Sequence, residues 1–358
     1  MNSRERVYKA LEFEKVDIIP YWDFFTSFEA ESLFLGEKYL NADDISKNIF
    51  IAKLFNSDII NVPIVSGPTN GIFIETLYNN EYYAITKVPF GGMFYYRKKP
   101  HFIKTLSPSI RYKEDLDKIK EIEINSFMPK INSLKEKVKK YHELGYFVIS
   151  EVKDPFAATW MFLRDLDTFL IDIMKDENFA KKLIELAFKP LIEFSEVVIE
   201  EVNVDAIWIT GDLAYKEKTF FNPIKFRKLF KPWEEEIVRR IHKKGAKALR
   251  HSHGNIMQLF DDIIDIGYDW IDPLDPNDNI NLFEVKEKYG DKITLVGGIT
   301  RDIGRMTKND LCKHIIEVVK TLGSEGFILR SAGGIPPEMP LENFNYYRDI
   351  VEKIRKSH

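Results

Sequence analysis

The chain has 358 residues, 44% of them hydrophobic and 30% charged, and its formal net charge is −4 at pH 7. This balance excludes a general nucleic-acid or anionic-membrane binder, since either class needs a basic surface. The single cysteine, Cys312, excludes an internal disulfide and is typical of a reducing compartment. No apolar run is long enough to span a bilayer, and the N-terminus lacks the apolar core of a signal peptide. We therefore expect a cytoplasmic protein.

The first quarter of the chain predicts a strand, a helix and a second strand. A short helix capped by Ser3 precedes a strand at residues 18–25, and a helix at 43–55 leads to an apolar strand at 58–64. Between residues 66 and 106 aromatic and polar residues alternate and glycines interrupt them, which predicts one or two β-hairpins inserted after the second strand. The aromatics of this insertion either pack it against the rest of the protein or form a docking surface for a flat cofactor or a partner.

The remainder of the chain repeats short apolar strands separated by helices. A charged helix or pair of helices is expected at 113–144, and further helices at 163–174, 177–202, 223–244, 256–266, 282–289, 308–322 and 342–356. Strands are expected at 147–152, 206–212, the segment that ends in His251 and His253, 270–274, 293–299 and 326–331. Eight buried strands alternating with helices are typical of a (β/α)8 barrel. We therefore predict a single TIM-barrel domain over residues 1–358.

The active site of such a barrel lies at the carboxyl ends of its strands, so polar residues there are the site candidates. His251 and His253 stand two apart at a strand end and are expected to point the same way. Two histidines and a carboxylate, either Glu151 or Asp212, can supply three ligands to zinc. The histidines can instead bind a carboxylate, carry a proton or fill the barrel mouth. Further polar residues at strand ends are Asp23, Asp154, Tyr215, Asp272, Asp275, Arg301, Arg330 and Ser331.

Several motifs in this order resemble the uroporphyrinogen decarboxylase superfamily. They are the opening segment 4–20, Pro155-Phe156, the segment 211–215, Asn222-Pro223, the segment 251–254, the segment 267–269, the segment 290–292, the segment 297–299 and the segment 335–343. The resemblance runs almost end to end and implies the same (β/α)8 fold.

The superfamily contains at least two chemistries, decarboxylation and corrinoid-dependent methyl transfer. The resemblance is closer to the methyl-transfer branch. Decarboxylation of uroporphyrinogen relies on an arginine-rich stretch after the first strand, but no arginine occurs here between Arg6 and Arg97, and Asp23 would repel a polyanion. Corrinoid-dependent methyl transfer uses zinc held by a His-x-Cys pair and a later cysteine. His251 matches the family histidine, His253 replaces the first cysteine, and Gly333 stands where the later cysteine is expected.

The resemblance therefore implies a methyltransferase that moves a methyl group between a small substrate, such as a methyl ether or a thiol, and the corrinoid of a partner protein. In this interpretation His251 and His253 bind zinc or polarise the substrate, and Glu151 or Asp212 completes the site. Tyr215, Arg330, Ser331 and Asp23 are expected to bind substrate. The alternatives are a metal-free decarboxylase or lyase that binds a small acid or tetrapyrrole through Arg330 or Arg301, and a binding protein that kept the barrel.

Overall fold

A parallel sheet forms the centre of the protein. The computed structural model describes residues 1–36, 42–67, 71–323 and 325–357. Seven strands pair in parallel in the order β1-β6-β7-β8-β9-β10-β11. Their bounds are β1 Ile59–Asn61, β6 Phe147–Lys153, β7 Ala206–Thr210, β8 Lys247–His251, β9 Trp270–Leu274, β10 Thr294–Ile299 and β11 Phe327–Ser331. The strands are short, apolar and buried because helices cover one face and a packed interior fills the other.

Helices follow most of the strands and cover the outer face of the sheet. The described α-helices are α1 Ser3–Leu11, α2 Phe28–Leu35, α3 Asp44–Phe55, α4 Met128–Glu143, α5 Pro155–Phe162, α6 Leu166–Lys175, α7 Glu177–Val202, α8 Pro223–Leu229, α9 Lys231–Lys243, α10 Phe260–Ile266, α11 Leu282–Tyr289, α12 Lys308–Leu322 and α13 Leu341–Arg355. The helix predicted at 113–144 is wrong in its first half, where short 3-10 turns precede α4. The helix predicted at 223–244 is divided into α8 and α9, since Pro232 follows the break. No helix in the described part of the chain combines the length and apolar character needed to cross a membrane.

The predicted first strand, residues 18–25, is not a regular strand. It makes isolated parallel bridges, Tyr21 with Leu329 and Phe25 with Ile335. Its backbone nevertheless touches both edges of the sheet: the Leu329 N–H donates to Pro20 O at 2.9 Å, and the Asp58 N–H donates to Tyr21 O at 2.7 Å. The proline lacks an N–H, so a continuous ladder cannot form here. The segment thus lies between the two edge strands, β11 and β1, and the sheet curls around its interior.

Side chains from the inner faces of the strands fill that interior. Large residues contribute from several strands, with Trp208 on β7 and Trp270 on β9 packed near Trp22 of the first segment. Helix α1 adds Val7, Ala10 and Leu11 to the same cluster. The amino-terminal end of the sheet is therefore closed by packed hydrocarbon, and open space remains at the carboxyl ends of the strands.

A second sheet lies between β1 and β6 in the chain. It has four antiparallel strands, β2 Glu75–Asn79, β3 Tyr83–Lys87, β4 Met93–Arg97 and β5 Phe102–Ser107, paired in that order. Residues 66–106 were predicted to form hairpins, and these strands occupy most of that range. Tyr78, Tyr83 and Tyr95 form a row with ring centroids 5.1 and 5.3 Å apart, and Phe94 is buried. The aromatics of this sheet are thus divided between packing and exposed surface.

Candidate active site

A cavity of about 610 Å³ opens at the carboxyl ends of the parallel strands. Five of the polar side chains that line it are Glu151 and Lys153 from β6, Asp212 after β7, His251 from β8 and Arg330 from β11. Side chains from four separate parts of the chain thus meet at one place. This is the end of the sheet at which barrel and open α/β proteins bind their ligands. A volume of this size accommodates a small molecule.

His251, the last residue of β8, is held in one orientation. Its Nδ1 lies 2.8 Å from Asp272 Oδ2, and Trp208 packs edge-on against its ring at a centroid distance of 5.1 Å. The pKa of Asp272 is lowered, because Arg330 and His251 outweigh the effect of its burial. An ionised carboxylate only accepts, so Nδ1 carries the hydrogen and donates it. In the neutral ring, Nε2 is then left with its lone pair, 3.9 Å from Asp212 Oδ1.

Asp272 is the most heavily bonded carboxylate of the site. It is fully buried on β9 and accepts from the indole N–H of Trp208 at 2.6 Å and of Trp270 at 3.0 Å. The Arg330 guanidinium also pairs with it. Arg330 in turn lies over aromatic rings, with its Cζ 4.3 Å from the Trp22 centroid and 5.1 Å from that of Trp208. The positive charge of this arginine is therefore already neutralised and enclosed.

His253 lies just beyond the strand, and the structure brings it beside His251 as the spacing predicted. The two ring centroids are 4.9 Å apart and the rings are perpendicular. Burial and the neighbouring His251 lower the pKa of His253 to about 4, so its ring is neutral at pH 7. Its Nδ1 is buried without a hydrogen-bond partner among the described residues. Gly254 follows at φ +86, which lets the chain turn away directly after this histidine.

Asp212 completes one side of the cavity. Its side chain is 50% exposed, and its Oδ1 accepts the backbone N–H of His253 at 2.9 Å. Burial of the surrounding wall opposes ionisation, but the two imidazoles and this N–H outweigh it and lower the pKa of Asp212. Asp212, His251 and His253 together are called the acceptor wall below, because they present a carboxylate and two imidazoles to the cavity. Asp212 and His253 also border a second cavity of about 400 Å³.

Glu151 is engaged on both of its oxygens. Lys153 and Thr210 contact Oε1 at 2.8 and 2.9 Å, and the Asn61 amide contacts Oε2 at 3.1 Å. Burial opposes its ionisation, yet Lys153 and the hydrogen bonds lower the pKa of Glu151. Glu151 is thus an ionised partner of Lys153 in the cavity wall.

The other predicted substrate-binding residues, Asp23, Ser331 and Tyr215, do not all lie at the main cavity. Asp23 borders the cavity, but hydroxyls of Tyr21, Tyr347 and Ser331 contact its oxygens at 2.9, 2.7 and 2.7 Å. Burial raises the pKa of Asp23 despite these hydrogen bonds. Tyr215 is 39% exposed and borders the second cavity. Asp23 and Ser331 thus form an internal hydrogen-bonded pair, and Tyr215 stands apart from the main cavity.

The zinc site predicted from His251, His253 and Glu151 is not assembled. Within the described ranges, no three His, Cys, Asp or Glu side chains are placed to hold one metal ion. Glu151 is bound on both oxygens, as described above, and Gly333, where the family's later cysteine is expected, lines the cavity without a side chain. The histidine pair supplies two nitrogens, and Asp212, the alternative carboxylate, uses its Oδ1 to accept the His253 N–H and holds that oxygen 3.9 Å from His251 Nε2. No step of the chemistry below is assigned to a metal.

Two residues of the site received no role from the sequence. Lys153 stands two residues after Glu151 on the same strand, and that spacing places both on one face. Asp272 was noticed as a strand-end residue, but its role depends on Trp208, His251 and Arg330, which come from three other strands. The first could have been found from strand periodicity, and the second required the three-dimensional arrangement.

The fold and the cavity define an α/β protein with polar and aromatic side chains gathered at the carboxyl ends of a curled parallel sheet. Residues 93–354 match the family model described as uroporphyrinogen decarboxylase (URO-D). Since this match covers well over half of the chain, the chain belongs to the URO-D family. The resemblance predicted from the motifs is thus confirmed.

Known proteins of two kinds are similar to this chain. Uroporphyrinogen decarboxylase of Helicobacter pylori is 23% identical over 276 residues, which are 71% of this chain and 73% of that protein. The corresponding protein of Helicobacter acinonychis is 22% identical over 281 residues, 73% of this chain and 74% of that protein. A solved methyltransferase from Methanosarcina mazei aligns with a TM-score of 0.72 at 14% identity and covers 99% of both chains. A B12-independent methionine synthase from a Shewanella species aligns with a TM-score of 0.53 at 12% identity, covering 94% of this chain and 96% of that one. These structural likenesses establish the shared fold.

Proposed function

We propose that this protein is a methyltransferase, which moves a methyl group between a small substrate in the main cavity and the corrinoid of a separate protein. We further propose that residues 1–358 form one (β/α)8 barrel domain, in which segment 18–25 takes the place of the remaining strand and the antiparallel sheet is an insertion. The likeness to the Methanosarcina mazei methyltransferase over 99% of both chains supports this proposal.

The observation that carries the proposal is that the lysine and arginine side chains at the site are already paired with carboxylates of the protein. Arg330 is bound to Asp272, and Lys153 is bound to Glu151 at 2.8 Å. Arg301, at the rim, contacts Asp275 at 2.7 Å and also pairs with Asp278. A substrate bearing carboxylates would have to displace these buried or half-buried partners, and breaking such a pair costs about 3–5 kcal/mol. Methyl transfer does not need a carboxylate on the substrate, so this cavity suits it better than decarboxylation.

We assign the reacting end of the substrate to the acceptor wall. When the methyl group leaves a heteroatom, the electron pair of the broken bond stays on that heteroatom, and the acceptor supplies the pair of the new bond. In the opposite direction, an incoming thiol or alcohol loses its proton, and His251 Nε2 has the free lone pair to take it. Asp272 keeps that lone pair facing the cavity, since it holds Nδ1–H on the other side of the ring.

The second candidate function is decarboxylation of a small acid, which the curated relatives favour because they are uroporphyrinogen decarboxylases. It requires Arg330 or Arg301 to release its aspartate and bind substrate. In that case Arg330→Ala would abolish activity and carbon dioxide would be released.

The test is methyl transfer to a reduced free corrinoid, followed by its absorbance, with a panel of methyl ethers, methylated amines and thioethers. In the reverse assay, transfer from a methylated free corrinoid to a thiol, His251 Nε2 takes the proton, and we expect His251→Ala to lower kcat/KM at least about a hundredfold there. His101→Ala is the matched control, because His101 is exposed in the loop before β5 of the antiparallel sheet. Activity that survives His251→Ala unchanged, or carbon dioxide release without methyl transfer, would exclude the proposal.

The zinc prediction stays a prediction, and elemental analysis of the purified protein tests it. One zinc per chain, lost on His251→Ala and on His253→Ala, would require a third ligand to move into the site.

A further inference from the structure

We infer that the cavity selects a permanently cationic substrate, a methylated ammonium compound, over neutral and anionic ones. This inference rests on the proposed function for the transfer step, but binding of the cation stands on the cavity itself and is measured separately.

The lysine and arginine charges around the cavity are already balanced by carboxylates of the protein. Among the described side chains that line the cavity, the two cations other than histidine, Lys153 and Arg330, are each paired with a carboxylate. Glu31 at the edge of the cavity is paired with Lys47. Asp212 lines the cavity with a half-exposed side chain, and in the described part of the chain it forms no salt bridge with a lysine or arginine. Whether His251 is neutral or charged, no positive charge is left over for an anion, and an ammonium group would meet Asp212.

Aromatic side chains line part of the cavity. Trp160 and Phe220 line the cavity and are half-buried. The rings of Trp22, Phe24 and Trp208 already hold a cation, since the Arg330 guanidinium lies over all three. An alkylated ammonium group is bound well by a combination of aromatic faces and one carboxylate, because its charge is spread over methyl groups that also bury apolar area. The same lining offers nothing comparable to a carboxylate.

The leaving group of the reaction also favours an ammonium substrate. A methyl ether that loses its methyl group leaves as an anion and must receive a proton. A quaternary ammonium leaves as a neutral amine: the C–N electron pair stays on nitrogen, the reduced corrinoid of the partner protein supplies the pair that binds the methyl group, and no proton is needed. The His251 N–H is already donated to Asp272, and the Lys153 ammonium contacts Glu151 and Thr210, so neither is free to protonate a leaving group. The acceptor wall is therefore suited to a substrate whose charge disappears on reaction.

The test is isothermal titration with two molecules of nearly equal shape, choline and its neutral carbon isostere 3,3-dimethylbutan-1-ol. We expect choline to bind at least about tenfold more tightly than the isostere, the difference that one cation–π and carboxylate contact provides. Asp212→Asn should reduce this ratio to about one, since asparagine keeps an oxygen for the His253 N–H and removes only the charge. The anion 3,3-dimethylbutyrate should bind more weakly than either.

The matched control is Asp291→Asn, an exposed aspartate just before β10 at the amino-terminal end of the sheet, which should leave the tenfold ratio intact. Equal affinity for choline and its isostere, tightest binding of the anion, or absence of binding by all three would overturn the inference. Methyl transfer from a neutral ether without choline binding would overturn it and leave the proposed function standing. Choline binding without any methyl transfer would support the inferred cation preference and overturn the proposed function.

Discussion

At the scale of single residues, the site is built on ion pairs that the protein supplies to itself. Arg330 and Asp272 are both fully buried, and each is the other's charge partner. Such a pair adds little net stability compared with apolar residues of the same size, but the loss of one member leaves an uncompensated charge. The position of His251 therefore depends on a pair located outside the reacting groups.

Asp272→Asn should lower the free energy of unfolding by about 3–5 kcal/mol, because it leaves the buried Arg330 without a counter-charge. The double variant Asp272→Asn with Arg330→Met should recover part of this loss. Denaturant unfolding of the wild type, the two single variants and the double variant measures the coupling. Losses that simply add in the double variant would contradict the pairing.

The pKa of His253 gives stability a defined pH dependence. The folded pKa of about 4 lies below the ordinary value of 6.5, so the unfolded chain takes up this proton first as the pH falls. The contribution of His253 is complete above pH 6.5 and is lost between 6.5 and 4, with a slope of up to about 1.4 kcal/mol per pH unit. His253→Gln should flatten the curve of unfolding free energy in that window, and His101→Gln should not. An identical slope in wild type and His253→Gln would contradict the depressed pKa.

At the scale of elements, strand periodicity predicted most of the parallel strands within a few residues, because buried parallel strands are continuous apolar runs. It failed at residues 18–25, where Pro20 interrupts the ladder although the surrounding residues are apolar. It also leaves the third ligand of the predicted zinc site undetermined. Periodicity places His251 and His253 on one side of the chain, but whether a third ligand approaches depends on hydrogen bonds to Glu151 from other elements.

The turn after β8 provides an element-scale prediction. A Cβ at Gly254 would lie 2.4 Å from the backbone of Ala214, whereas a Cβ at Gly245 would meet nothing within 4 Å, and both glycines have positive φ. Gly245→Ala should lower stability by about 1–2 kcal/mol through its backbone conformation alone. Gly254→Ala should lower it by more, because the clash adds to that strain, and thermal unfolding of the two variants shows the difference. Equal melting temperatures would contradict the close approach.

At the scale of the whole molecule, Asp58 joins the beginning of the chain to its end. Its carboxylate contacts Arg6 of α1 at 2.5 Å, the backbone N–H of Tyr21 at 2.9 Å and Arg355 of α13 at 3.2 Å. These contacts lie at the seam where segment 18–25 meets the edges of the sheet. The sequence indicated a barrel through its count of strands, but no local pattern identifies the buried carboxylate that holds the seam.

Asp58→Ala should lower the free energy of unfolding by about 3–5 kcal/mol, since it leaves two arginines without this buried carboxylate. Glu75→Ala, which removes an exposed ion pair with Lys87, should change it by less than about 1 kcal/mol. Denaturant unfolding measures both variants. A small effect of Asp58→Ala would show that the seam is held by other contacts.

The most direct measurement of the central claim is the identity of the group that the substrate loses. The protein is incubated with a methylated ammonium substrate labelled in all of its N-methyl carbons, together with reduced corrinoid, and the mass of the organic product is measured by mass spectrometry. The account predicts a tertiary amine that lacks one methyl group, with the label recovered on the corrinoid. Products that keep every methyl group, from this and from the ether and thioether donors, together with loss of carbon dioxide from a carboxylic acid substrate, would contradict it.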